Sequence, residues 1–517
     1  MFRAIIGFIG LLLLPCAQAA ELTALVYHDV VPDPGRDPYN ISRSQFVAQL
    51  DYLKLHGYQP VSLDLLEKVR TGKARLPAKA VLLTFDDGLR SYAEFVAPLL
   101  KTYGYPSLVS VETGWVNGLH VPPEYRDRLM TWDDLRRLRK SPLVEIISHS
   151  HDLHHGIPSN PQGNEDAAGT TRRYFPETHS YESETDFRLR IRNDLEKSVA
   201  EIKRNLGFAP RAIAWPYGSY DDVLLEEMKR AGMRFYLTME NGPTSVEQLP
   251  RIKRIIVRNT PSLSGFVDDL QYKYLLYNRR VVEFNLDPFK GASAARQEEL
   301  LSRLLDRLQA VRANTVILSP FTSDRGEAFF YNRQMPVAAD VLNRVLHQIL
   351  TRLHVQRIYL KLPESLPVPR LDDLYTDLAR LDWFSGVVFE APRDAEAEHR
   401  LRRLISYYRP IAKFGIEGSV PVGPPYDFTL VRLDPGQSPA QIEARAGEIK
   451  RIPYESLVIL DRAPGENGQE LAARLRLLRG AGIEDFGYGP DDYAADLPTP
   501  YLIVPEMSAD ATHGKEN

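Results

Sequence analysis

The chain has 517 residues, too many for one ordinary hydrophobic core, so its length predicts two domains. Hydrophobic residues make up 44% and charged residues 26%, which excludes a disordered or fibrous chain and describes a globular one. A formal net charge of -4 removes any global reason to bind nucleic acid or an anionic membrane.

At the front of the chain, Arg3 precedes an apolar run from Ala4 to Leu14, then Pro15 and the small-residue ending Ala17-Gln18-Ala19-Ala20. A basic start, a short apolar centre and an A-x-A ending predict a secretory signal peptide over residues 1–20. The run falls short of the roughly 20 apolar residues that a membrane span needs. The sole cysteine, Cys16, lies inside this segment, so cleavage after Ala19 would leave a mature chain without thiols or disulfides. The rival reading makes Cys16 a lipid-attachment site; Leu13 fits that pattern and Pro15 does not.

From Leu22 onward, short apolar runs alternate with amphipathic helical patterns. Strands are predicted at Leu22–Tyr27, Ala80–Phe85, Leu108–Val111, Val144–Ile147, Ala212–Trp215 and Phe235–Thr238. Phe46, Leu50 and Leu53 mark a helix that Gly57 stops, and a longer one runs from about Glu184 to Asn205, before Gly207. This alternation predicts an α/β fold, with a distorted (β/α) barrel over residues 21–275. The stretch Gly156–Ser183, rich in Pro, Gly, Asn, Thr and Ser, interrupts it as a long loop, and such loops are usually functional or disordered. A second series of strands is predicted at Val281–Leu286, Thr315–Leu318, Arg357–Leu360, Gly386–Phe389, Phe414–Glu417, Phe428–Arg432, Leu457–Leu460, Asp485–Gly487 and Leu502–Val504, with helices such as Glu298–Val311 between them. It predicts a second barrel-like domain over residues 280–505, the boundary near 272–280, and a polar, frayed tail at 506–517.

Polar groups gather where the apolar runs of the first series end. Val81–Phe85 leads into Asp86-Asp87-Gly88, and Val144–Ile147 into Ser148-His149-Ser150-His151-Asp152-Leu153-His154-His155. Ala212–Ala214 leads into Trp215-Pro216-Tyr217-Gly218, and Leu22–Tyr27 into His28-Asp29. In α/β barrels the reacting groups collect at that end of the strands. Adjacent carboxylates there can divide their work, one binding a cation while its neighbour accepts a proton. With two imidazoles from another strand end, the set matches a two-histidine, one-carboxylate metal site with positions open for water and substrate. Taken singly, Asp86-Asp87 also reads as a turn or helix cap, the histidines as a solvated loop, and the Pro-Tyr-Gly segment as a simple turn.

Thr84-Phe85-Asp86-Asp87-Gly88 resembles the first motif of the family-four polysaccharide deacetylases, His149–His154 the second, and Trp215-Pro216-Tyr217-Gly218 the third. His28, in Tyr27-His28-Asp29, resembles the catalytic acid histidine of one branch, in which the usual C-terminal histidine motif stands at the front. That arrangement, with a second barrel after residue 280, is similar to the bacterial periplasmic poly-β-1,6-N-acetylglucosamine deacetylases of biofilm export. The resemblance implies one divalent ion (Zn, Ni, Co or Fe) held by Asp87, His149 and His154, with Asp86 as general base, His28 as general acid and the Tyr217 backbone N–H at the oxyanion. It also implies an acetylated glucosamine polysaccharide as substrate, an outer-membrane exporter as partner, and a periplasmic location. His151 and His155 are the alternative ligand pair, because the family's common spacing of four from His149 falls on Leu153. The arginine usual two positions before Pro216 is here Ala214, so whatever orients Asp86 must come from elsewhere.

In the second domain, Phe389-Glu390-Ala391-Pro392 stands where that branch carries an acidic cluster. Glycosidases need two placed carboxyls, and Asp287, Glu390 and Glu417 show no pairing in sequence. The expectation is a glycan-binding or degenerate glycoside-hydrolase domain, with Asp287 and Glu390 as candidate contacts, rather than a second active enzyme; a bifunctional deacetylase–glycosidase is the alternative. Chitin oligomers, peptidoglycan and acetylated xylan remain alternative substrates, and a non-catalytic polysaccharide-binding protein of the envelope is the alternative of a different class.

Overall fold

The computed structural model describes residues 21–260, 262–355, 357–418, 426–452, 455–509 and 511–514. The signal-peptide expectation for residues 1–20 and the lipidation reading of Cys16 lie outside the described residues. No helix among the described residues is long and apolar enough to cross a membrane.

The first half is built on one curved sheet. Its main path runs Glu21–Tyr27, Ala80–Phe85, Ser107–Val111, Val144–Ser148, Ala212–Ala214, Phe235–Thr238 and Arg251–Lys253, all joined in parallel. Every residue of Ala80–Phe85 is buried, as expected for a parallel strand covered on both faces. The sheet nearly closes through a short piece of chain. Arg251–Lys253 pairs with Phe235–Thr238, and Ile255–Ile256, two residues on, pairs with Leu25 and Val26 of the first strand. Arg254 therefore sits at the seam of the barrel.

The register levels the ends of the strands. Tyr27 pairs with Phe85, Phe85 with Val109, Val111 with Ser148, and Ser148 with Ile213. The residues that follow these strands are thereby delivered to one rim. The helix Glu184–Leu206 braces that rim from outside. It begins at Ser183, whose side chain accepts from Asp186 N–H, and ends at Gly207 in the left-handed region. Its buried face, including Phe187, Ile191 and Leu195, joins Trp215 and Met228 in one cluster.

The second half is a closed barrel of eight parallel strands: Arg280–Phe284, Thr315–Leu318, Arg357–Leu362, Gly386–Phe389, Lys413–Glu417, Phe428–Leu433, Ser456–Asp461 and Phe486–Asp491. Val281, Ile317, Tyr359, Val388, Phe428, Leu430, Leu457 and Ile459 form one small buried cluster of strand residues, and the much larger cluster joins strands to the surrounding helices.

Two expectations need correction. Leu502–Val504 is not a strand but part of the helix Pro500–Met507; Pro at the helix start and burial of Ile503 and Met507 favour the helix over a three-residue apolar run. The segment 506–517 is not wholly a frayed tail, because Ala511–Gly514 pairs antiparallel with Tyr274–Tyr277.

The loop Gly156–Ser183 is ordered by two short antiparallel pairs and forms much of the contact between the halves. Asn160 Nδ2 donates to Asn343 Oδ1 at 2.7 Å, Tyr181 OH to Asp340 Oδ2 at 3.1 Å, and Gln162 Nε2 to the Asp340 carbonyl at 2.8 Å. His347 Nδ1 lies 2.8 Å from Asp166 Oδ1.

Candidate active site

Asp86 and Asp87 follow their strand directly, and both are buried. Asp86 N–H donates to the Tyr27 carbonyl at 2.9 Å, continuing the strand pairing by one residue. At Asp87 the backbone turns into the left-handed region, with φ 69° there and 64° at Gly88. A side chain on Gly88 would also press on Val111, with Cβ 3.2 Å from Val111 Cγ1.

Asp86 Oδ1 accepts from Arg254 Nη1 at 2.8 Å and from Ser110 Oγ at 2.7 Å. Burial opposes ionisation of Asp86, but the Arg254 guanidinium, with His149 and His28 nearby, outweighs it and holds the carboxyl well below its ordinary range. Arg254 is the orienting group that the sequence leaves unassigned at Ala214.

The structure brings Asp87, His149 and His154 into one group. His149 Nε2 lies 3.4 Å and His154 Nε2 3.5 Å from Asp87 Oδ1, and the three ligand atoms fall within 4.8 Å of one another. Ligands at 2.0–2.2 Å around a tetrahedral ion stand about 3.3 Å apart, so this spacing fits a divalent cation. Two further observations support the fit. Asp87 Oδ1 is buried without a hydrogen-bond partner. His149 Nδ1 lies 2.7 Å from the Ala214 carbonyl, which can only accept; Nδ1 therefore carries the proton and, in the neutral ring, Nε2 keeps its lone pair for a metal.

Burial alone would depress His149, but the Asp87 and Asp86 carboxylates outweigh it and raise its pKa. For His154 burial wins, and its pKa falls to about 4. The His154 ring sits between Trp115, 4.8 Å away between ring centroids, and Tyr217, 4.5 Å away.

His151 and His155 do not reach Asp87. His151 Nδ1 meets Thr113 Oγ1 at 2.9 Å, and His155 faces Asp152. The loop that carries all four histidines is anchored from below by residues the sequence reading did not single out. Asp194, on the long helix, accepts from His151 N–H at 2.9 Å and Asp152 N–H at 2.7 Å. Glu112 accepts from Ser150 Oγ at 2.7 Å. Burial raises both carboxyls, Asp194 to about 7.

His28 lies at the same rim, where its charge acts on both Asp86 and Asp87. Its ring is 5.4 Å from Tyr39, and its buried Nδ1 has no hydrogen-bond partner. Trp215 and Pro216 are buried, whereas Tyr217 is 56% exposed and takes a left-handed backbone, φ 58°. Gly218 follows at φ 68°, where a Cβ would lie 2.4 Å from Met239 Cγ. The chain can turn there only because the residue is glycine. Tyr217 also borders a cavity of about 240 Å³ between the halves, lined further by Thr170, Ser219, His347, Arg380 and Trp383.

The strand-end acids of the second barrel are engaged by cations or hydroxyls. Glu390 pairs with Arg325 at 2.6 Å, and Glu417 with Lys361 at 3.0 Å and Arg432 at 2.7 Å. Arg432 also pairs with Glu283 and Asp461. Asp287 accepts from Ser323 N–H at 3.1 Å and contacts its hydroxyl.

Residues 73–236 match the polysaccharide deacetylase family, and residues 283–365 match hypothetical glycosyl hydrolase family 13. The poly-beta-1,6-N-acetyl-D-glucosamine N-deacetylase of Escherichia coli strain K12 is 30% identical over 353 residues, covering 66% of this chain and 52% of that protein. The chain thus spans about half the length of this curated relative. Among solved structures, a de-N-acetylase from Aggregatibacter actinomycetemcomitans is 30% identical with a TM-score of 0.45, covering 48% of this chain and 99% of that one. The BpsB deacetylase domain from Bordetella bronchiseptica is 32% identical with a TM-score of 0.42, covering 46% and 96% respectively.

Proposed function

Because residues 73–236 match the polysaccharide deacetylase family, we propose that the chain removes N-acetyl groups from poly-β-1,6-N-acetyl-D-glucosamine, releasing acetate. The observation that carries this reading is the Asp87, His149 and His154 group lying beside Asp86, itself fixed by Arg254.

Asp87, His149 and His154 would hold one divalent ion, and Asp and His ligands admit Zn, Ni, Co or Fe. When bound, such an ion acidifies a water toward pH ~7 and stabilises negative charge. Asp86 takes the proton of the attacking water as general base. Arg254 and Ser110 hold one oxygen of Asp86, so the carboxylate is oriented and kept ionised. The Tyr217 backbone N–H donates to the amide oxygen as charge develops there, and such donors are worth about 10²–10³ in rate. His28 protonates the departing amine, leaving glucosamine on the polymer. The exposed Tyr217 ring offers a face for the sugar, and the cavity beyond it leads toward the second barrel.

The second barrel is assigned a polymer-holding role. Glycoside hydrolysis needs one free acid and one free carboxylate, whereas Glu390 and Glu417 are committed to Arg325, Lys361 and Arg432. The basic, apolar and A-x-A pattern of residues 1–20 supports export to the periplasm, where an outer-membrane exporter would receive the modified polymer.

The test is acetate release from poly-β-1,6-N-acetylglucosamine, with and without chelator, beside the Asp86→Asn variant. Chelator-sensitive release that the variant loses is the expected result. Absence of release with any divalent metal would overturn the catalytic reading, and faster release from chitin oligomers, peptidoglycan or acetylated xylan would overturn the substrate.

A further inference from the structure

A second group of ligand-type side chains lies outside the Asp87 site. Among the described residues, His120, Asp152 and His155 are the other cluster whose ligand atoms fall within 4.8 Å of one another. We propose that these three residues form a second binding site for a divalent transition ion such as Zn(II), separate from the one at Asp87.

The geometry is that of ligands around a small cation. His120 Nδ1 lies 2.8 Å and 3.0 Å from the two Asp152 carboxylate oxygens, and His155 Nδ1 lies 3.8 Å from Asp152 Oδ1. These separations bracket the roughly 3.3 Å expected between neighbouring ligands of a tetrahedral ion. The two imidazole rings stand 5.3 Å apart, between centroids. Two imidazoles with one carboxylate suit Zn, Ni, Co or Fe and disfavour Ca or Mg, which take oxygen ligands.

A hydrogen bond between His120 and Asp152 accounts for two of the three groups but not the third. His155 Nδ1 is buried and has no hydrogen-bond partner. A buried ring nitrogen without a partner carries a desolvation cost that a bound cation would remove.

The two segments that supply these ligands are already tied together. Gly114 N–H donates to the His151 carbonyl at 2.7 Å, and Leu119 N–H to the Gly114 carbonyl at 2.8 Å. At Gly114 the backbones approach so closely that a Cβ would lie 2.2 Å from the His151 oxygen. Gly118, φ 82°, and His120, φ 48°, then turn the chain back onto the histidine loop. An ion here would clamp residues 152–155 to that turn and so fix the chain on both sides of His154.

The test is equilibrium dialysis of the metal-stripped full-length chain against Zn(II), with bound zinc counted by mass spectrometry. The wild-type chain is expected to bind two ions, and His120→Ala and His155→Ala one each. Asp87→Ala is expected to keep one ion, and the Asp87→Ala, His155→Ala double variant none, so the two sites are read independently. His120 is exposed, so its substitution leaves the fold intact. A His120→Ala or His155→Ala chain that binds as many ions as wild type would overturn the proposal and leave an ordinary His–Asp pair.

Discussion

Arg254 Nη1 donates to Asp86 Oδ1 at 2.8 Å, joining two buried residues that lie 168 apart in sequence. Because Arg254 occupies the short link between Lys253 and Ile255, the residue that closes the barrel also sets the charge of the candidate base.

Removal of one partner from a buried pair leaves the other uncompensated, which costs about 3–5 kcal/mol. Arg254→Ala is therefore expected to lose stability on that scale, measured by urea unfolding, and to lose acetate release. Arg254→Lys keeps the charge without the planar fork and should recover stability better than rate. Unchanged unfolding in Arg254→Ala would show that the pair contributes nothing net.

Asp86 and Asp87 are adjacent but are assigned different work, and their variants should separate it. Asp86→Asn is expected to slow acetate release by about 10²–10⁴ while bound metal is retained. Asp87→Asn should lose both the rate and the ion at its own group, since it removes the anionic ligand, while any ion at His120, Asp152 and His155 stays. Metal content and initial rate, measured on the same preparations, decide this. Loss of metal from Asp86→Asn would exchange the two roles.

Asp194 holds the backbone of the ligand loop through two N–H groups. Asp194→Ala leaves both donors unpaired, at about 1–3 kcal/mol for each buried group. Supporting residues of metal sites typically change affinity by 10–100-fold when mutated. A competition titration with a chelating dye should therefore show zinc affinity at the Asp87 group weakened within that range. Full affinity would show that the loop holds itself.

At the contact between the halves, burial raises the Asp340 pKa to about 6, against which the hydrogen bonds from Tyr181 and Tyr331 work. For an acid whose folded pKa exceeds its unfolded value near 3.8, the folded state binds more protons across that interval. Stability is then highest below it, falls as pH rises toward 6, and is flat above. Between pH 5 and 7 the Asp340 contribution should fall by roughly 1 kcal/mol. In Asp340→Asn that part of the pH dependence should vanish. Identical pH profiles for the two chains would place the titration elsewhere.

Much of this arrangement is legible in sequence because it is local. Ala80–Phe85, Phe235–Thr238, Thr315–Leu318 and Gly386–Phe389 form strands with the predicted ends, since each is a short apolar run bounded by turn residues. The polar residues after the runs reach one rim because parallel register carries them there. Arg254 escapes the same reading. It follows Arg251 and Lys253 in a basic stretch that looks like solvated surface, and only closure of the sheet turns it inward. Asp194 is hidden for a similar reason: on a helix dense with charge, nothing local distinguishes the one carboxylate that caps a distant loop. Leu502–Val504 shows the converse limit, a run too short for its period to separate strand from helix.

The loop that docks the two halves begins where the histidine loop ends. Only a few residues separate His154 from Ser159 and Asn160, which meet Asn343 of the second barrel. Ordering one end of such a segment reduces the entropy lost on ordering the other. If Asp87, His149 and His154 hold an ion, its occupancy and inter-barrel docking become linked equilibria, and such linkage is reciprocal. Whatever stabilises the seating of the second barrel would then tighten the grip on that ion, and a chain charged with metal would resist separation of its halves.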